Sequence, residues 1–360
     1  MTSLLYSPAI EYISQLGRII LSPLLTGPLL LIATHAPHLA HDALASVISR
    51  LPDSVTESLK PATIKLALQV LVGLGLIRSF NKTLNTMASN SWRLRASKGW
   101  DWPNEIAVVT GGSSGIGKDI VKRLVSLGVH VAVLDVQDLP KDLQENSRVS
   151  FYHCDVTSAE SVAEAADALR RELGHPSILI NNAGITKPTP ILKMPESFLR
   201  RIFGVNVMAL WFTTQQFLPR MIQLDKGHVV TVASIASFVA LPTGADYSAT
   251  KAGALSFHES LACELKHFYK SPNVLTTVVH PNFVRTPLVE DFADHLEDSG
   301  VRFLTSDQIA SEVVGQIKSR RGGQLIIPRS ASAISGIRGW PTWLQELLRD
   351  GIGKGAMRLG

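Results

Sequence analysis

Apolar and polar residues follow two textures along the chain, and the change falls near Asn104. Before it, hydrophobic stretches are long and barely interrupted. Residues 19–41 contain no Asp, Glu, Lys or Arg, and a second apolar run covers 66–77, between Lys65 and Arg78. The first run is long enough for a bilayer core, which takes about 20 helical residues. Pro23, Pro28 and Pro37 spoil it as a straight span, so two helical halves bent at a proline are an equal expectation. The second run, read as one helix, spans about 18 Å against a core of about 30 Å. It is expected to lie in the interface, complete a hairpin or pack on the protein.

After Asn104, short apolar runs alternate with amphipathic stretches. Strands are expected at 106–109, 131–134, 150–154, 177–180, 229–233, 274–279 and 325–327. Helical faces are set by Ile120, Leu124 and Leu127, and by Val162, Ala166, Leu169 and Leu173. Further helices are expected after Pro195, from Tyr247 and over 307–318. Residues 287–305 carry Phe292, Leu296 and Phe303 but no strong period, which suits a substrate lid or a connecting loop. The tail, with Trp340, Trp343, Leu344, Leu347 and Leu348, suits packing on the core, over a substrate entrance or at a membrane interface.

Composition narrows the class. At 360 residues the chain has room for one large or two ordinary domains. A 45% hydrophobic content and a mean hydropathy of +0.17 exclude a disordered polymer. Cys154 and Cys263 are the only cysteines, which excludes a disulfide framework and fits a reducing compartment. The net charge of +5 is local: residues 58–100 hold Lys60, Lys65, Arg78, Lys82, Arg93, Arg95 and Lys98 and no acid. Beside apolar runs, this suits a membrane surface better than nucleic acid. It also favours a cytoplasmic placement and anionic lipid. A cleaved signal peptide, with Ala43-Leu44-Ala45 at the site, and a small helical cap over 1–100 are the rivals. Asn81-Lys82-Thr83 fits a glycosylation triplet, which a cytoplasmic placement leaves unused.

The first chemical signal is the turn Thr110-Gly111-Gly112-Ser113-Ser114-Gly115-Ile116-Gly117, set between a strand and a helix. Glycines admit a pyrophosphate to the backbone, and a helix amino terminus favours its charge. Gly111, Ser113, Ser114, Gly115, Ile116 and Gly117 are therefore candidate dinucleotide contacts. Asp135 ends the next strand, where a carboxylate accepts from ribose hydroxyls and repels a 2′-phosphate. NAD is thus favoured over NADP, although Lys118 and Lys122 lie nearby. Asp155 and Val156 are placed to face adenine. Asn182, Ala183 and Gly184 are small enough to let a cofactor pass. In His280-Pro281-Asn282-Phe283-Val284-Arg285-Thr286, Thr286 is a candidate partner for a carboxamide. No metal site is expected.

The second signal is Ser234, Tyr247 and Lys251. Ser234 follows an apolar strand, and the spacing of Tyr247 and Lys251 puts phenol and ammonium on one helix face. A nearby ammonium favours phenolate, making the tyrosine a usable acid/base, with Ser234 holding the substrate oxygen. Asn206, inside an apolar helix, is either structural or holds a water that links Lys251 to solvent.

In that order, T-G-G-S-S-G-I-G, D-V, N-N-A-G, V-N-V, the serine, Y-S-A-T-K and P-N-F-V-R-T resemble the short-chain dehydrogenase/reductase family over residues 104–330. The resemblance implies an α/β Rossmann-type fold, a doubly wound parallel sheet of about seven strands. It also implies Tyr247 as acid/base, Ser234 as carbonyl-orienting donor, Lys251 on the ribose and lowering the tyrosine pKa, and Asn206 in a proton relay. Pro281 and Val284 join the cofactor set, and dimers or tetramers are usual, a homodimer being expected here. Asn282 stands where many members have glycine. With the apolar extension, P-N-F-V looks like the membrane-associated branch that includes retinol, hydroxysteroid and other lipid dehydrogenases, some of which sit on endoplasmic reticulum or lipid droplets. The expected organisation is a membrane-associated region over 1–100, an NAD(P)-binding domain over 101–330 and an amphipathic tail over 331–360. The expected activity is alcohol–carbonyl interconversion on a lipophilic substrate. A non-catalytic nucleotide-binding scaffold and a soluble acyl- or polyketide-type ketoreductase are the alternatives.

Overall fold

The structure is a computed structural model that describes residues 8–36, 39, 61–298 and 300–356. The chain divides into two compact units that part between Met87 and Ala88. Residues 88–100, grouped on sequence with the amino-terminal region, fold with the second unit, and so does the tail.

The first unit is helical. Helix α1 spans Pro8–Ile20, α2 spans Pro23–His35 and α3 spans Pro61–Ala88. The apolar run at 19–41 is not a straight span. It breaks at Leu21 and Ser22, because Ser22 precedes Pro23 and is held extended (φ −82°, ψ 115°), while Pro23 suits the first turn of α2. Pro28 lies inside α2 without ending it. The turn rests on α3 at Gly75, where a Cβ would meet the Leu21 carbonyl at 2.5 Å. The end of the run and Ala43-Leu44-Ala45 lie outside the described residues. The second run also differs from expectation. Its helix has 28 residues, not twelve, because residues 61–65 before the run and the stretch from Arg78 to Ala88 after it continue the helix. Thr83 bonds its hydroxyl back to the carbonyl of Ser79 and Thr86 to that of Lys82. At about 42 Å this helix exceeds a bilayer core. By length and composition it is long and apolar enough to cross a membrane.

In the second unit, strands and helices alternate: β1 Ile106–Thr110, α4 Gly115–Ser126, β2 His130–Asp135, α5 Lys141–Gln144, β3 Val149–His153, α6 Ala159–Glu172, β4 Ile178–Asn181, α7 Glu196–Phe203, α8 Ala209–Gln223, β5 Gly227–Val232, α9 Ala245–His267 and β6 Val274–Pro281. Then come β7 Val284–Arg285, α10 Glu290–Asp298, β8 Leu304–Thr305, α11 Ser306–Lys318, β9 Gly323–Ile327 and α12 Thr342–Ala356. Seven strands form one parallel sheet in the order β3-β2-β1-β4-β5-β6-β9. Helices cover both faces, so the strands read as continuous apolar runs. One core layer joins Val108, Leu134 and Val229 to Leu169, Phe217 and Leu261. The other joins Val109, Val133 and Val279 to Ile120, Leu124 and Val313. Strand order reverses between β1 and β4, and the crevice at the carboxyl ends of strands beside such a reversal is where open α/β sheets bind ligands.

Candidate active site

A cavity of about 650 Å³ opens at those strand ends. Its floor at one end is the glycine turn. Gly111 has φ +65°, and a Cβ there would lie 2.9 Å from the Ala183 Cα, so only glycine lets β4's exit pass this closely. Gly117 admits α4 to the turn, since its Cβ would stand 2.0 Å from the Gly111 carbonyl oxygen. Ser114 makes no side-chain cap on α4, which leaves amide donors at the helix start for an anion. Gly111, Ser114, Gly115, Ile116, Asp135, Asp155, Val156, Asn182, Ala183, Gly184, Pro281, Val284 and Thr286 all line the cavity. Ser113 and Gly117 do not. Ser113 donates its amide to Asp135 Oδ2 (3.0 Å) and its hydroxyl to the Gln137 carbonyl (2.8 Å), so it braces the turn from behind. These residues fit a nicotinamide dinucleotide: a bare-amide cradle at one end, small residues along the middle and a proton-transfer group at the other.

Asp135 has a second duty that the sequence did not reveal. Its carboxylate accepts from the backbone amides of both Ser113 and Gln137, each at 3.0 Å. Lys118 and Lys122 both pair with Asp142, at 3.1 and 2.7 Å. Asp155 accepts from the amide and hydroxyl of Thr157 at 2.9 and 2.7 Å.

At the other end, Ser234 leaves β5, and Tyr247 and Lys251 project from the first turns of α9 into the same cavity. Burial pushes the Tyr247 phenol above its ordinary value, while a hydrogen bond with the Ser234 hydroxyl pulls the other way. The expectation that Lys251 holds the phenol low is not met in this state. The Lys251 ammonium donates to the Val232 carbonyl (2.9 Å) and stands 5.6 Å from the tyrosine ring centroid. Burial lowers Lys251 itself to about 8.

Asn206 lies off the cavity wall, in a π-helical turn, Gly204–Met208, between α7 and α8. Its carboxamide accepts from the Ile185 amide (2.9 Å) and donates to the Ile185 carbonyl and the Thr250 hydroxyl (both 3.0 Å). Thr250 in turn donates to the Tyr247 carbonyl at 2.8 Å. Asn206 therefore clamps the segment after β4 to the first turns of α9.

Residues beyond the sequence expectations complete the site. His280 donates from Nδ1 to the Ser234 carbonyl, and Ser237 donates to the Lys251 carbonyl at 2.9 Å. Residues 287–305 contain the helix α10, with Val289, Phe292 and Leu296 on the cavity wall. The β7–β8 pair joins the two ends of this segment, and Arg285 binds Glu297 (2.6 Å) and Asp294 (3.3 Å). Ile334, Leu348 and Ile352 of the tail also line the cavity. His280 stood in the quoted motif beside Pro281; Phe292, Leu296 and Leu348 mark the segments read as a lid or loop and as the tail, whereas Val289, Ile334 and Ile352 left no such signal.

The model of the short chain dehydrogenase family matches residues 105–297. The chain is 37% identical over 212 residues to the dehydrogenase RED2 of Cochliobolus heterostrophus, covering 58% of this chain and 77% of that one. It is 36% identical over 196 residues to the human epidermal retinol dehydrogenase 2, covering 52% and 62%. A short chain dehydrogenase/reductase from Burkholderia phymatum, solved with NAD, superposes with a TM-score of 0.62 at 23% identity, over 69% of this chain and 97% of that one. The protein belongs to the short-chain dehydrogenase family. It is an NAD(P)-dependent oxidoreductase acting on CH–OH groups.

Proposed function

We propose that this protein is a membrane-anchored, NAD-preferring dehydrogenase/reductase that interconverts alcohol and carbonyl on a lipophilic substrate of the steroid, retinoid or fatty alcohol type. The observation that carries this reading is the wall around Ser234 and Tyr247. Phe283, Val289, Phe292 and Leu296, with Leu348 and Ile352 from the tail, line the same cavity as the hydroxyl pair and give it apolar surface. A few polar groups in an apolar pocket orient an otherwise apolar ligand.

Within that pocket Tyr247 takes the hydroxyl proton in oxidation and returns it in reduction. Ser234 holds the substrate oxygen beside it. The nicotinamide ring, when bound, supplies the hydride exchange. Lys251 is placed to bind the ribose and, once drawn from Val232, to favour phenolate. Asn206, bonded to Ile185 and Thr250, is the candidate for holding a water that links Lys251 to solvent. NAD is preferred because Asp135 presents charge at the ribose position, while its nearby cations Lys118 and Lys122 are engaged by Asp142. The apolar helix α3 supports a membrane placement, and the acid-free basic stretch over 58–100 supports a cytosol-facing one, of the kind found on endoplasmic reticulum or lipid droplets. A homodimer is supported by the exposed Phe203, Met208 and Trp211 along α7, the π-helical turn and α8.

The test is turnover by the full chain with NAD or NADP against steroids, retinoids and long-chain alcohols, with a short soluble alcohol as control. The reading expects NAD-dependent turnover of a long apolar member and little with the short one. Turnover confined to soluble acyl ketones would instead favour an acyl-reducing enzyme.

A further inference from the structure

At the opposite end of the sheet from the cavity, three segments meet in one surface. Residues 89–98 follow α3, 266–273 join α9 to β6, and 318–322 join α11 to β9. Hydrogen bonds stitch them together. Asn90 donates to the Gly322 carbonyl (3.1 Å) and accepts from its amide (2.8 Å). The Ser97 amide donates to Arg320, and Arg321 donates to the Leu94 carbonyl at 2.7 Å. Arg93 donates to Asn273 and to the Pro272 carbonyl.

This face combines two features that rarely coincide on a solvated surface. Trp92, Leu94 and Phe268 are each more than half exposed, and Tyr269 stacks edge-on to Phe268 at 5.1 Å. Around them stand exposed Arg95, Lys98, Lys270, Lys318 and Arg320. The acids nearest these segments are Asp101, Glu105, Asp225 and the exposed Glu264, whose backbone carbonyl accepts from the amides of Phe268 and Tyr269. Glu105 is paired with Lys226, and Asp225 accepts from Asn273. Aromatic rings and long cations together suit the headgroup layer, where rings reach the acyl boundary and cations meet phosphate.

We propose that this face rests on an anionic phospholipid bilayer. The inference rests on the membrane anchoring proposed above. Chain length supports it: α3 is about 12 Å longer than a bilayer core, and only Ser89 separates its end from the fixed Asn90. A nucleic acid is the lesser occupant, because no helix or strand here presents the cations as a groove reader would. The face is separate from the cavity, so changes in it leave turnover in place.

The test uses the full chain in lipid nanodiscs of phosphatidylcholine alone or mixed with phosphatidylserine, read by backbone amide exchange. Exchange over 91–95 and 267–270 is expected to slow in the phosphatidylserine discs and to recover in high salt. Over 141–146, beyond the carboxyl end of β2, it is expected not to change. Each Lys or Arg is worth roughly fivefold in docking at such a surface. The triple variant Arg95→Glu, Lys270→Glu and Arg320→Glu is therefore expected to abolish the protection while keeping turnover. A chain that enters both discs but exchanges identically in them overturns this inference and leaves the anchoring intact. A chain that enters neither, staying soluble without detergent, removes the anchoring and the docking face together. Equal protection by duplex DNA in place of lipid would reassign the face.

Discussion

His280 donates from Nδ1 to the backbone carbonyl of Ser234 at 3.0 Å, while its Nε2 meets the Gln324 amide at 3.1 Å. A carbonyl can only accept, so Nδ1 carries the proton and Nε2 receives the Gln324 donor. The ring also stacks on Phe238 at 4.5 Å, in the loop that leaves Ser234. Strands β6 and β9 thereby fix Ser234 through one neutral imidazole.

Replacing His280 by Ala leaves the Ser234 carbonyl and the Gln324 amide without that partner. Such a loss costs about 1–3 kcal/mol where the groups stay buried. The expected outcome is a lower melting temperature and a fall in kcat larger than any rise in KM. His280→Asn, which keeps an amide donor, is expected to recover part of both. Thermal unfolding and steady-state kinetics on the pair check this.

Acid should unfold the domain through its buried histidines. Burial lowers His228 to about 3, and His258 and His280 to about 4, all beneath the ordinary 6.5. His228 bonds Thr277 at 2.8 Å, and His258 bonds Thr231 at 3.2 Å. Below pH 6.5 the unfolded chain takes up protons that the folded chain refuses. Stability is therefore full above 6.5 and falls as pH drops toward 4, by about 1.4 kcal/mol per pH unit for each ring. Denaturant unfolding between pH 7 and 5 measures the slope, and His258→Gln is expected to reduce it by about one third of its value, one ring of three.

Gly117 and Gly315 make a matched pair. An alanine at 117 would place a methyl 2.0 Å from the Gly111 oxygen and 2.6 Å from Asn182 Nδ2, so the turn must shift. Overpacking of this kind costs about 1–3 kcal/mol, and dinucleotide affinity is expected to fall with it. Gly315, in α11, has nothing within 4 Å of its added Cβ. Gly315→Ala is expected to stabilise by up to about 1 kcal/mol. Calorimetry and dinucleotide titration read both.

Asp135→Asn removes the charge but keeps one acceptor oxygen for the Ser113 or Gln137 amide. The kcat/KM ratio for NADP over NAD is expected to rise by about tenfold, equal to about 1.4 kcal/mol. Some NAD affinity should be lost as well, because the glycine turn loses one of its two supports.

Much of this was legible in the sequence, for a physical reason. Strands buried on both faces leave uninterrupted apolar runs, so β1, β2, β4, β5 and β6 could be read within a residue or two. The glycine turn and the Tyr247–Lys251 spacing are local and were equally plain. Properties set by the surroundings were not. Helix α3 outran its apolar stretch because polar residues continue a helix as well as apolar ones do. The phenol of Tyr247 moved up, not down, because burial is a property of the fold. Helix α10 was hidden because its wall-facing Phe292 and Leu296, with Val289 just before it, cover one short face among many acids. The duties of Asp135 and His280 depend on partners from segments far along the chain.

The most direct measurement is turnover and dinucleotide binding by Tyr247→Phe on the first lipid alcohol the wild type accepts. The account predicts a loss of about 10²–10⁴-fold in turnover, with NADH affinity unchanged. Near-normal turnover in that variant would contradict the assignment of the phenol as the proton-transfer group.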